Sequence, residues 1–571
     1  MVSNTCIIRN VNKLLRTKNY PASAHRKLNL WTRDNIVQSP YKDVEIPNKL
    51  AVNHIWENLE KWADKTAVVC GITNRSYTYY KLYKRSRNFA ANLRSKLKIE
   101  NGDVICIMMP NNPEFVIAVL GALEAGAVVT TINPIYTAHE VKRQLQLINP
   151  KIVIGDPDTI VTINEGFKLA NKEANIITVK APRENLPSGT IAFDTVCNDE
   201  NVDYRVLNEV KRNVDDVIFI PYSSGTTGLP KGVELTNRTL GVNFVQTNVE
   251  GIKQYRNTTA TNQDALVAVL PFYHIYGLSV LMMHKLSVGL KLVTLPKFHP
   301  KTFLSTLTEH KISLLYAAPP LVLYLASHPE VKKENLKYLK TLVCAAAPMP
   351  KSDAERTLEK LRSDANYIQM YGLTETSPIV TAAVIGDKQY DYMTVGVPVP
   401  NTELKIVDSD TRALGPNEVG ELWINGPQVM KGYKDNIEAT RNVITEDGWF
   451  KSGDLASIDT RGNVTIHDRI KELIKVKGYQ VAPAELEGVL KEHPSVLDAA
   501  VIGAAHEKMG EVPKAFVVLK ENKKVGEEEI KQFVKGKVAE FKNINEVVFV
   551  NSLPKNPSGK LLRRELKEKY C

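Results

Sequence analysis

The sequence lacks any run of about 18 uncharged apolar residues, which is the length that a membrane-spanning helix needs. One apolar stretch, FVIAVLGALEAGAVV, is interrupted by Glu124 and is typical of a buried helix that leads into a strand. Only six cysteines occur, they lie far apart, and no two form a CxxC pair. This argues against a disulfide framework or a structural zinc site and indicates a reducing compartment.

Acidic residues are also missing from positions 1–33, although that segment carries seven of the 11 net positive charges. The rest of the chain is close to neutral, so the charge gives no reason to expect a nucleic-acid partner. In CIIRNVNKLL the apolar and the basic residues fall on opposite faces of a helix, which is typical of a mitochondrial transit peptide. A solvated N-terminal arm on a cytoplasmic protein is the open alternative, and the final EKYC is not the peroxisomal S-K-L address.

At 571 residues the chain is too long for a single core. Between about residues 50 and 300, β-branched strands alternate with helical stretches, and a second such pass follows, which predicts an α/β fold with buried sheets. After about residue 390, short strands with Gly and Asp turns predict a β-rich subdomain. The last hundred residues or so have the pattern of a small α+β unit.

A Gly/Ser/Thr-rich loop, SSGTTGLPKG, follows the predicted strand DDVIFIPY. Its glycines let main-chain N–H groups approach a ligand, its hydroxyls add donors, and Lys231 adds a positive charge, which together suit a polyphosphate. It is not a Walker loop, because Pro230 precedes the lysine and Gly232 follows it. The alternative is a plain surface turn.

Two further stretches favour a nucleotide. In QMYGLTETSP, Tyr371 offers a flat face, Thr374 a hydroxyl, and Glu375 a hard oxygen ligand of the kind that Mg²⁺ takes. Read alone, this stretch is typical of a capped helix start. Asp454 is predicted to end a strand, where its two oxygens would accept both hydroxyls of a ribose.

Two basic stretches lie near the C-terminus. DRIKELIKVKGYQVAPAELE interleaves Arg469 with three lysines, and LPKNPSGKLLRREL places Lys560 at the predicted start of a helix. Each would be a solvated surface if it stood alone.

Together these five motifs, in this order and spacing, resemble the adenylate-forming superfamily of acyl-CoA synthetases, 4-coumarate–CoA ligases and beetle luciferases. The resemblance runs from about residue 50 to 567. It implies a large N-terminal α/β domain over residues 34–468 that contains the β-rich subdomain. It also implies a small mobile α+β domain over residues 469–571, with its hinge at Lys471.

The resemblance implies an ATP-dependent carboxylate–CoA ligase. The acid attacks the α-phosphate of ATP, which gives an acyl-adenylate and pyrophosphate, and the acyl group then passes to the thiol of CoA. In this interpretation Mg²⁺ lies near Thr226 and Glu375. The nucleotide-binding residues would be Ser223, Ser224, Gly225, Thr226, Thr227, Gly228, Lys231, Ala346, Gln369, Tyr371, Gly372, Thr374, Glu375, Asp454 and Arg469.

The same resemblance assigns the two steps to different lysines. Lys560 would bond the carboxylate and α-phosphate oxygens, and His274 would gate the carboxylate site. Rotation about Lys471 would then remove Lys560 and bring Lys475 and Gln480 toward the phosphate. The CoA contacts implied are Lys297, Lys477 and Gly478.

The segments expected to line the acid pocket, HIYGLSVLMM, YAAPPLVLYL and TSPIV, are apolar or aromatic and hold no Arg or Lys. They predict a monocarboxylic acid with an apolar tail, and their methionines and leucines favour a medium- or long-chain fatty acid over an aryl-propenoic acid. A luciferase-like oxygenase is disfavoured, because Asn243 and Pro378 stand where luciferases place Arg and Ser. A pseudoenzyme is disfavoured because Lys475, Gln480 and Lys560 are all present.

Overall fold

The computed structural model describes residues 30–180, 185–223, 230–347, 349, 351–385, 391, 393–476, 479–506, 509–535, 537–538, 540–556 and 559–570. Within the predicted N-terminal segment, residues 30–33 are described and belong to the large domain. Trp31 pairs with Val37, and its indole N–H donates to the Asp459 carbonyl at 3.1 Å. The folded large domain therefore already includes residues that precede the expected boundary at 34.

The described residues form short strands throughout the chain. In chain order these are β1 (Val37–Gln38), β2 (Thr66–Cys70), β3 (Ser76–Thr78), β4 (Val104–Met108), β5 (Val128–Thr131), β6 (Ile152–Gly155), β7 (Asn175–Thr178), β8 (Ile191–Ala192), β9 (Val217–Ile220), β10 (Tyr222–Ser223), β11 (Lys231–Thr236), β12 (Ala265–Ala268), β13 (Lys291–Thr294), β14 (Leu314–Ala317), β15 (Thr341–Cys344), β16 (Asn366–Gly372), β17 (Ile379–Ala382), β18 (Val397–Pro398), β19 (Glu403–Val407), β20 (Gly420–Asn425), β21 (Gly432–Tyr433), β22 (Phe450–Ile458), β23 (Val464–Arg469), β24 (Ile474–Val476), β25 (Tyr479–Val481), β26 (Val496–His506), β27 (Gly510–Leu519) and β28 (Glu546–Phe549).

Helices connect these strands. They are α1 (Ala51–Trp56), α2 (Leu59–Trp62), α3 (Tyr79–Ser95), α4 (Pro113–Glu124), α5 (Ala138–Ile148), α6 (Pro157–Ala170), α7 (Phe193–Cys197), α8 (Asn237–Gln246), α9 (Lys285–Ser287), α10 (Pro300–Glu309), α11 (Pro319–Ser327), α12 (Lys351–Lys360), α13 (Ile437–Val443), α14 (Pro483–Lys491), α15 (Glu527–Lys535) and α16 (Arg563–Tyr570). A π-helix spans Tyr276–His284, and 3₁₀ turns span Tyr204–Glu209, Lys333–Leu336, Thr374–Thr376, Ile470–Glu472 and Glu540–Lys542.

Two mainly parallel sheets form the large domain. The first has the order β10-β11-β9-β5-β4-β6-β7-β8, with β21 beside β11, and the second has the order β18-β17-β16-β15-β14-β12-β13-β2-β3. Their central strands are apolar and almost completely buried, as in β4 and β5, because helices cover both faces of a parallel sheet. The α/β prediction is confirmed.

One antiparallel sheet and one mainly antiparallel sheet make up the rest of the described strands. The β-rich subdomain is a sheet of order β1-β19-β20-β22-β23, and the C-terminal domain is built on β25-β24-β27-β26, with β28 parallel to β27. Strand β23 ends at Arg469, so Lys471 lies in the 3₁₀ turn between the two sheets. The expected hinge residue is thus at the point where the chain leaves one sheet for the other.

The functional motifs gather because of strand direction. Loops follow the carboxyl ends of the parallel strands β5, β9, β12, β15 and β16. In open α/β sheets, ligands bind at these ends of the strands. Among the described residues, no helix is long and apolar enough to span a bilayer.

Candidate active site between the two domains

Two adjoining cavities, of about 1180 and 730 Å³, lie between the large domain and the C-terminal domain. Ala346, Gly372, Arg469 and Lys560 line both of them. Every described residue expected to bind nucleotide lines at least one: Ser223, Lys231, Ala346, Gln369, Tyr371, Gly372, Thr374, Glu375, Asp454 and Arg469. The fold thus brings together motifs that are separated by up to hundreds of residues in sequence.

Part of the predicted site lies outside the described residues, namely Ser224, Gly225, Thr226, Thr227, Gly228, Lys477 and Gly478, together with the side chain of Gln480. The two ends of the Gly/Ser/Thr loop are nevertheless placed. Ser223 and Lys231 are direct partners in the β10–β11 ladder, and both line the larger cavity. The β-hairpin pairing therefore anchors the loop at the cavity wall.

Asp454, Arg469 and Tyr371 form a buried group between three elements. Asp454 faces Arg469 across the β22–β23 ladder, and the guanidinium Nε lies 2.9 Å from Asp454 Oδ1. The Tyr371 hydroxyl donates to Asp454 Oδ2 at 2.6 Å. Burial, reinforced by the neighbouring carboxylate, raises the pKa of Tyr371 well above its usual value, so the phenol keeps the proton that it donates.

This geometry corrects the local prediction for Asp454, which lies in the middle of β22 rather than at a strand end. The antiparallel pairing of β22 with β23 brings it beside Arg469 at the domain boundary. Among the described residues, Arg469 pairs with one carboxylate oxygen of Asp454 and Tyr371 donates to the other, so each oxygen retains a lone pair that can accept a hydrogen bond from a ribose hydroxyl.

Glu375 is held by a residue that the motifs did not indicate. The Tyr433 hydroxyl donates to Glu375 Oε1 at 3.0 Å, and the Lys231 ammonium lies 4.8 Å from the centre of the Tyr433 ring. Tyr433 lines the larger cavity beside both residues. A tyrosine in the sequence GYKDN gives no local signal of this role, because only the β11–β21 pairing brings it there.

Ala346 has a backbone conformation that alanine rarely adopts, with φ of 81° in the loop after β15. Such strain is kept only where the surroundings enforce it, and it is common at ligand sites. Since Ala346 lines both cavities, its main-chain groups are presented at their junction.

His274 lies in the turn before the π-helix and lines the larger cavity. Burial lowers its pKa to about 4, so the imidazole is neutral near pH 7. Its Nε2 is buried and has no hydrogen-bond partner among the described residues. His274 can therefore offer a neutral hydrogen-bonding group to a ligand, but not a positive charge.

Asn243 explains one departure from the luciferase pattern. Its side-chain amide donates to the Ile379 carbonyl at 2.8 Å, and its Oδ1 accepts from the Ile379 N–H at 3.1 Å. Ile379 and Pro378 line the larger cavity, whereas Asn243 lies behind them and is buried. The asparagine side chain therefore stabilises the cavity wall through two hydrogen bonds to the Ile379 backbone.

Lys560 lies in a turn before α16, not at a helix start as the sequence suggested. The turn is closed by the Lys560 N–H donating to Asn556 Oδ1 at 2.8 Å and by the pairing of Lys555 with Leu561. Burial, with Arg469 nearby, lowers the pKa of Lys560 to about 8. The turn rests on the start of α11, where a Cβ added at Gly559 would lie 2.6 Å from Pro320 Cδ.

The described residues expected to act in thioester formation do not line the two cavities. Lys475 and Gln480 are direct partners in the β24–β25 ladder, and Lys475 is exposed and lines neither cavity. Lys297 is likewise exposed and outside both linings. The structure therefore has the arrangement with Lys560 inside the cleft.

Comparison with known proteins agrees with this architecture. The AMP-binding enzyme family model matches residues 55–434, and the model of the AMP-binding enzyme C-terminal domain matches residues 485–560. The chain is 38% identical over 545 residues to 4-coumarate–CoA ligase 1 of Arabidopsis thaliana, covering 94% of this chain and 96% of that protein.

Two solved structures share the fold. ATP-bound MatB from Rhodopseudomonas palustris superposes with a TM-score of 0.80 at 27% identity and covers 92% of this chain and 99% of its own. A benzoate CoA ligase from Burkholderia xenovorans superposes with a TM-score of 0.78 at 25% identity, covering 91% and 99%.

The contact between Gly559 and Pro320 gives a test of how Lys560 is placed. Gly559→Ala should lift the turn from α11, because Gly559 also has a φ of 84° that disfavours alanine. Spin labels at Lys332→Cys and Lys523→Cys, in a Cys6→Ser, Cys571→Ser background, would report the distance between the domains by double electron–electron resonance. The other four cysteines are buried.

We expect one dominant interdomain distance in the labelled protein that keeps Gly559 and a broadened or shifted distribution when Gly559→Ala is added. Gly526→Ala is the matched control in the same domain, because a Cβ there would meet nothing within 4 Å. An unchanged distribution in Gly559→Ala would show that the Pro320 contact does not hold the turn.

Proposed function

The chain is an AMP-forming acid–CoA ligase of the AMP-binding enzyme family, and we propose that its acid is an aryl-propenoic acid of the 4-coumarate type. The relatives at 37–39% identity that cover 94% of this chain are named 4-coumarate–CoA ligases. One structural neighbour is named a benzoate CoA ligase. These findings favour the aryl acid over the fatty acid that the sequence favoured.

The observation that carries this proposal is the position of the methionines. Met282 and Met283, which suggested a flexible alkyl pocket, are fully buried in the core and line neither cavity. Of the segment HIYGLSVLMM, only the first four residues, His274 to Gly277, reach the larger cavity.

The wall that these residues form suits a planar acid. The Tyr276 ring lines the larger cavity and packs edge-on against Tyr316, with ring centres 6.3 Å apart, while Leu373 and Pro378 also contribute to the lining. A rigid aromatic and apolar wall recognises a flat conjugated chain at little cost in side-chain entropy. The Tyr276 hydroxyl is buried and has no hydrogen-bond partner among the described residues, so it is available to a ring substituent.

In the first step we propose that Lys231 and the Gly/Ser/Thr loop hold the β- and γ-phosphates and that the Asp454 carboxylate accepts the ribose hydroxyls. Lys560 then bonds the carboxylate and α-phosphate oxygens, so that two anions can meet. Neutral His274 bounds the carboxylate site without attracting the acid to itself. Adenylate formation needs no covalent enzyme intermediate, so the enzyme would accelerate it by positioning the reactants and by supplying positive charge.

A Mg²⁺ ion that accompanies ATP fits the donors present. Glu375 has one oxygen bonded to Tyr433 and another available, and carboxylate with phosphate oxygens is the set that Mg²⁺ takes. Across the described ranges, no three His, Cys, Asp or Glu side chains converge on a metal site. The phosphate oxygens of ATP would therefore supply most of the remaining ligands of the ion, and the ion would neutralise the charge of the phosphates.

The second step requires Lys475 to replace Lys560. Both belong to the C-terminal domain, and Lys475 lines neither cavity in this structure. We propose that rotation about Lys471 removes Lys560 and brings the β24–β25 hairpin toward the adenylate. CoA would then attack the acyl carbonyl and release AMP.

The acid is tested by CoA-dependent AMP release with ATP, Mg²⁺ and a panel of cinnamic, 4-coumaric and ferulic acids beside saturated acids from butyrate to palmitate. We expect kcat/KM for the best aryl-propenoic acid to exceed that for every alkyl acid by at least tenfold. A peak at one alkyl chain length would overturn the proposed acid, and product formation without CoA would overturn thioester formation.

Tyr276→Phe serves as a matched variant within that panel. If the hydroxyl meets a ring substituent, kcat/KM should fall about 10- to 100-fold for 4-coumarate and change little for cinnamate, which lacks the substituent. Thermal stability should not fall, because the hydroxyl has no partner among the described residues.

The two lysines should separate the half-reactions. Lys560→Ala should lower the rate of adenylate formation, measured by pyrophosphate release, by at least a hundredfold. It should leave thioester formation from supplied acyl-adenylate largely intact. Lys475→Ala should lower thioester formation from supplied acyl-adenylate more than it lowers adenylate formation. Equal losses in both steps for either variant would contradict the assigned role.

The charge of Lys560 predicts a pH dependence. Because its pKa is lowered to about 8, the ammonium is present below that pH and is lost as the pH rises through it. kcat/KM for adenylation, which reports on the free enzyme, should therefore decline above about pH 8. Lys560→Arg should be slower but should keep its rate to higher pH, and a flat wild-type profile to pH 9.5 would contradict the assignment.

A further inference from the structure

Beside the hinge, a buried carboxylate of the large domain contacts a helix of the C-terminal domain. Asp468 is the residue before Arg469 in β23 and is 4% exposed. Its Oδ2 accepts a hydrogen bond from the Ala484 N–H at 2.8 Å, and its Oδ1 accepts from the Arg469 N–H at 2.7 Å. The first of these bonds spans the hinge, because Asp468 precedes Lys471 and Ala484 is the second residue of α14.

Helix α14 depends on this bond because it has no cap of its own. Its N-cap residue, Ala482, provides no side-chain acceptor, and Pro483 occupies the first helical position. The first N–H groups of a helix have no partner within the helix, and a negative charge there is favoured by the helix dipole. The Asp468 carboxylate supplies both the acceptor and the charge from outside the helix.

The two ion pairs that Arg563 forms nearby differ from this contact because they lie beyond the hinge, although the Arg563 charge also attracts the Asp468 carboxylate across it. Arg563 binds Glu487 through Nη2 at 2.8 and 2.9 Å and also pairs with Glu472. These three residues follow Lys471 and would move together with the C-terminal domain. Rotation would preserve those ion pairs but would separate Ala484 from Asp468.

We propose that Asp468 is a positioning residue that holds the C-terminal domain in the arrangement with Lys560 in the cleft. It acts through α14: while the carboxylate caps the helix, Lys560 stays beside Arg469, and rotation toward the Lys475 arrangement begins with release of the Ala484 N–H. Loss of the cap shifts the population toward the rotated arrangement. This inference rests on the proposed exchange of the two lysines.

The test compares Asp468→Ala, which removes the acceptor, with Asp468→Asn, which keeps an amide oxygen for the same N–H. The two half-reactions are measured separately, as pyrophosphate release with 4-coumarate and ATP and as thioester formation from synthetic coumaroyl-adenylate and CoA. In Asp468→Ala the ratio of the first rate to the second should fall about 3- to 30-fold, the range of helix-cap substitutions. Asp468→Asn, which keeps the acceptor but loses the charge that attracts Arg563, should lower the ratio by a smaller factor than Asp468→Ala, and the KM for ATP should be unchanged in both variants.

Asp156→Ala is the matched control, because Asp156 caps α6 through the Thr159 N–H entirely within the large domain, also ahead of a proline. It should lower thermal stability without changing the ratio. A fall of both half-reactions by the same factor in Asp468→Ala, or an unchanged ratio, would overturn the proposal. If Asp156→Ala lowered the ratio of the two rates by the same factor, the effect of Asp468→Ala would be explained by general destabilisation and the proposal would be overturned.

A measurement on protein that keeps Asp468 separates this inference from the proposed function. Hydrogen exchange at the Ala484 amide should be slow with ATP alone and at least tenfold faster with coumaroyl-adenylate and CoA, in step with the spin-label distance between the domains. A distance that changes while the amide stays protected would overturn the role of Asp468 and leave the rotation standing. A distance that never changes would overturn the rotation itself.

Discussion

The ion pair between Asp454 and Arg469 is the contact on which the site depends. It links the last two strands of the β-rich subdomain, and through the Tyr371 hydroxyl it also fixes the end of β16 in a parallel sheet. Arg469 is the last residue of β23, so the same contact sets where the chain turns toward the C-terminal domain. A buried ion pair of this kind adds little net stability, because the charges lose hydration, but it defines one geometry.

Much of this arrangement follows from sequence, since strand direction in α/β layers is fixed by alternation of buried strands and helices. That alternation predicted the α/β layers, and in the structure the residues that follow β9 in one sheet and β12, β15 and β16 in the other line the larger cavity together. It could not place Asp454, because its position in mid-strand beside Arg469 comes from antiparallel register between β22 and β23. It could not find Tyr433, whose role comes from pairing between β21 and β11.

The segments expected to line the acid pocket show the limit of composition as a guide. Leucines and methionines near a site suggest a flexible pocket, but a π-helix directs Met282 and Met283 into the core instead. Asn243 illustrates the same point, since its residue type is explained by the backbone of Ile379 rather than by a ligand. Which side chains reach a cavity depends on helix rotation and packing, and these are properties of the assembled fold.

The direct pairing of Lys475 with Gln480 across one hairpin has a kinetic consequence. In the proposed rotation, both residues would arrive at the reaction centre in a single motion, and the same motion would withdraw Lys560. The enzyme would then be unable to stabilise both transition states at once, so ATP and acid would be consumed before CoA takes part. For acids that react quickly, the speed of turnover would be set by domain reorientation and would fall as solvent viscosity rises.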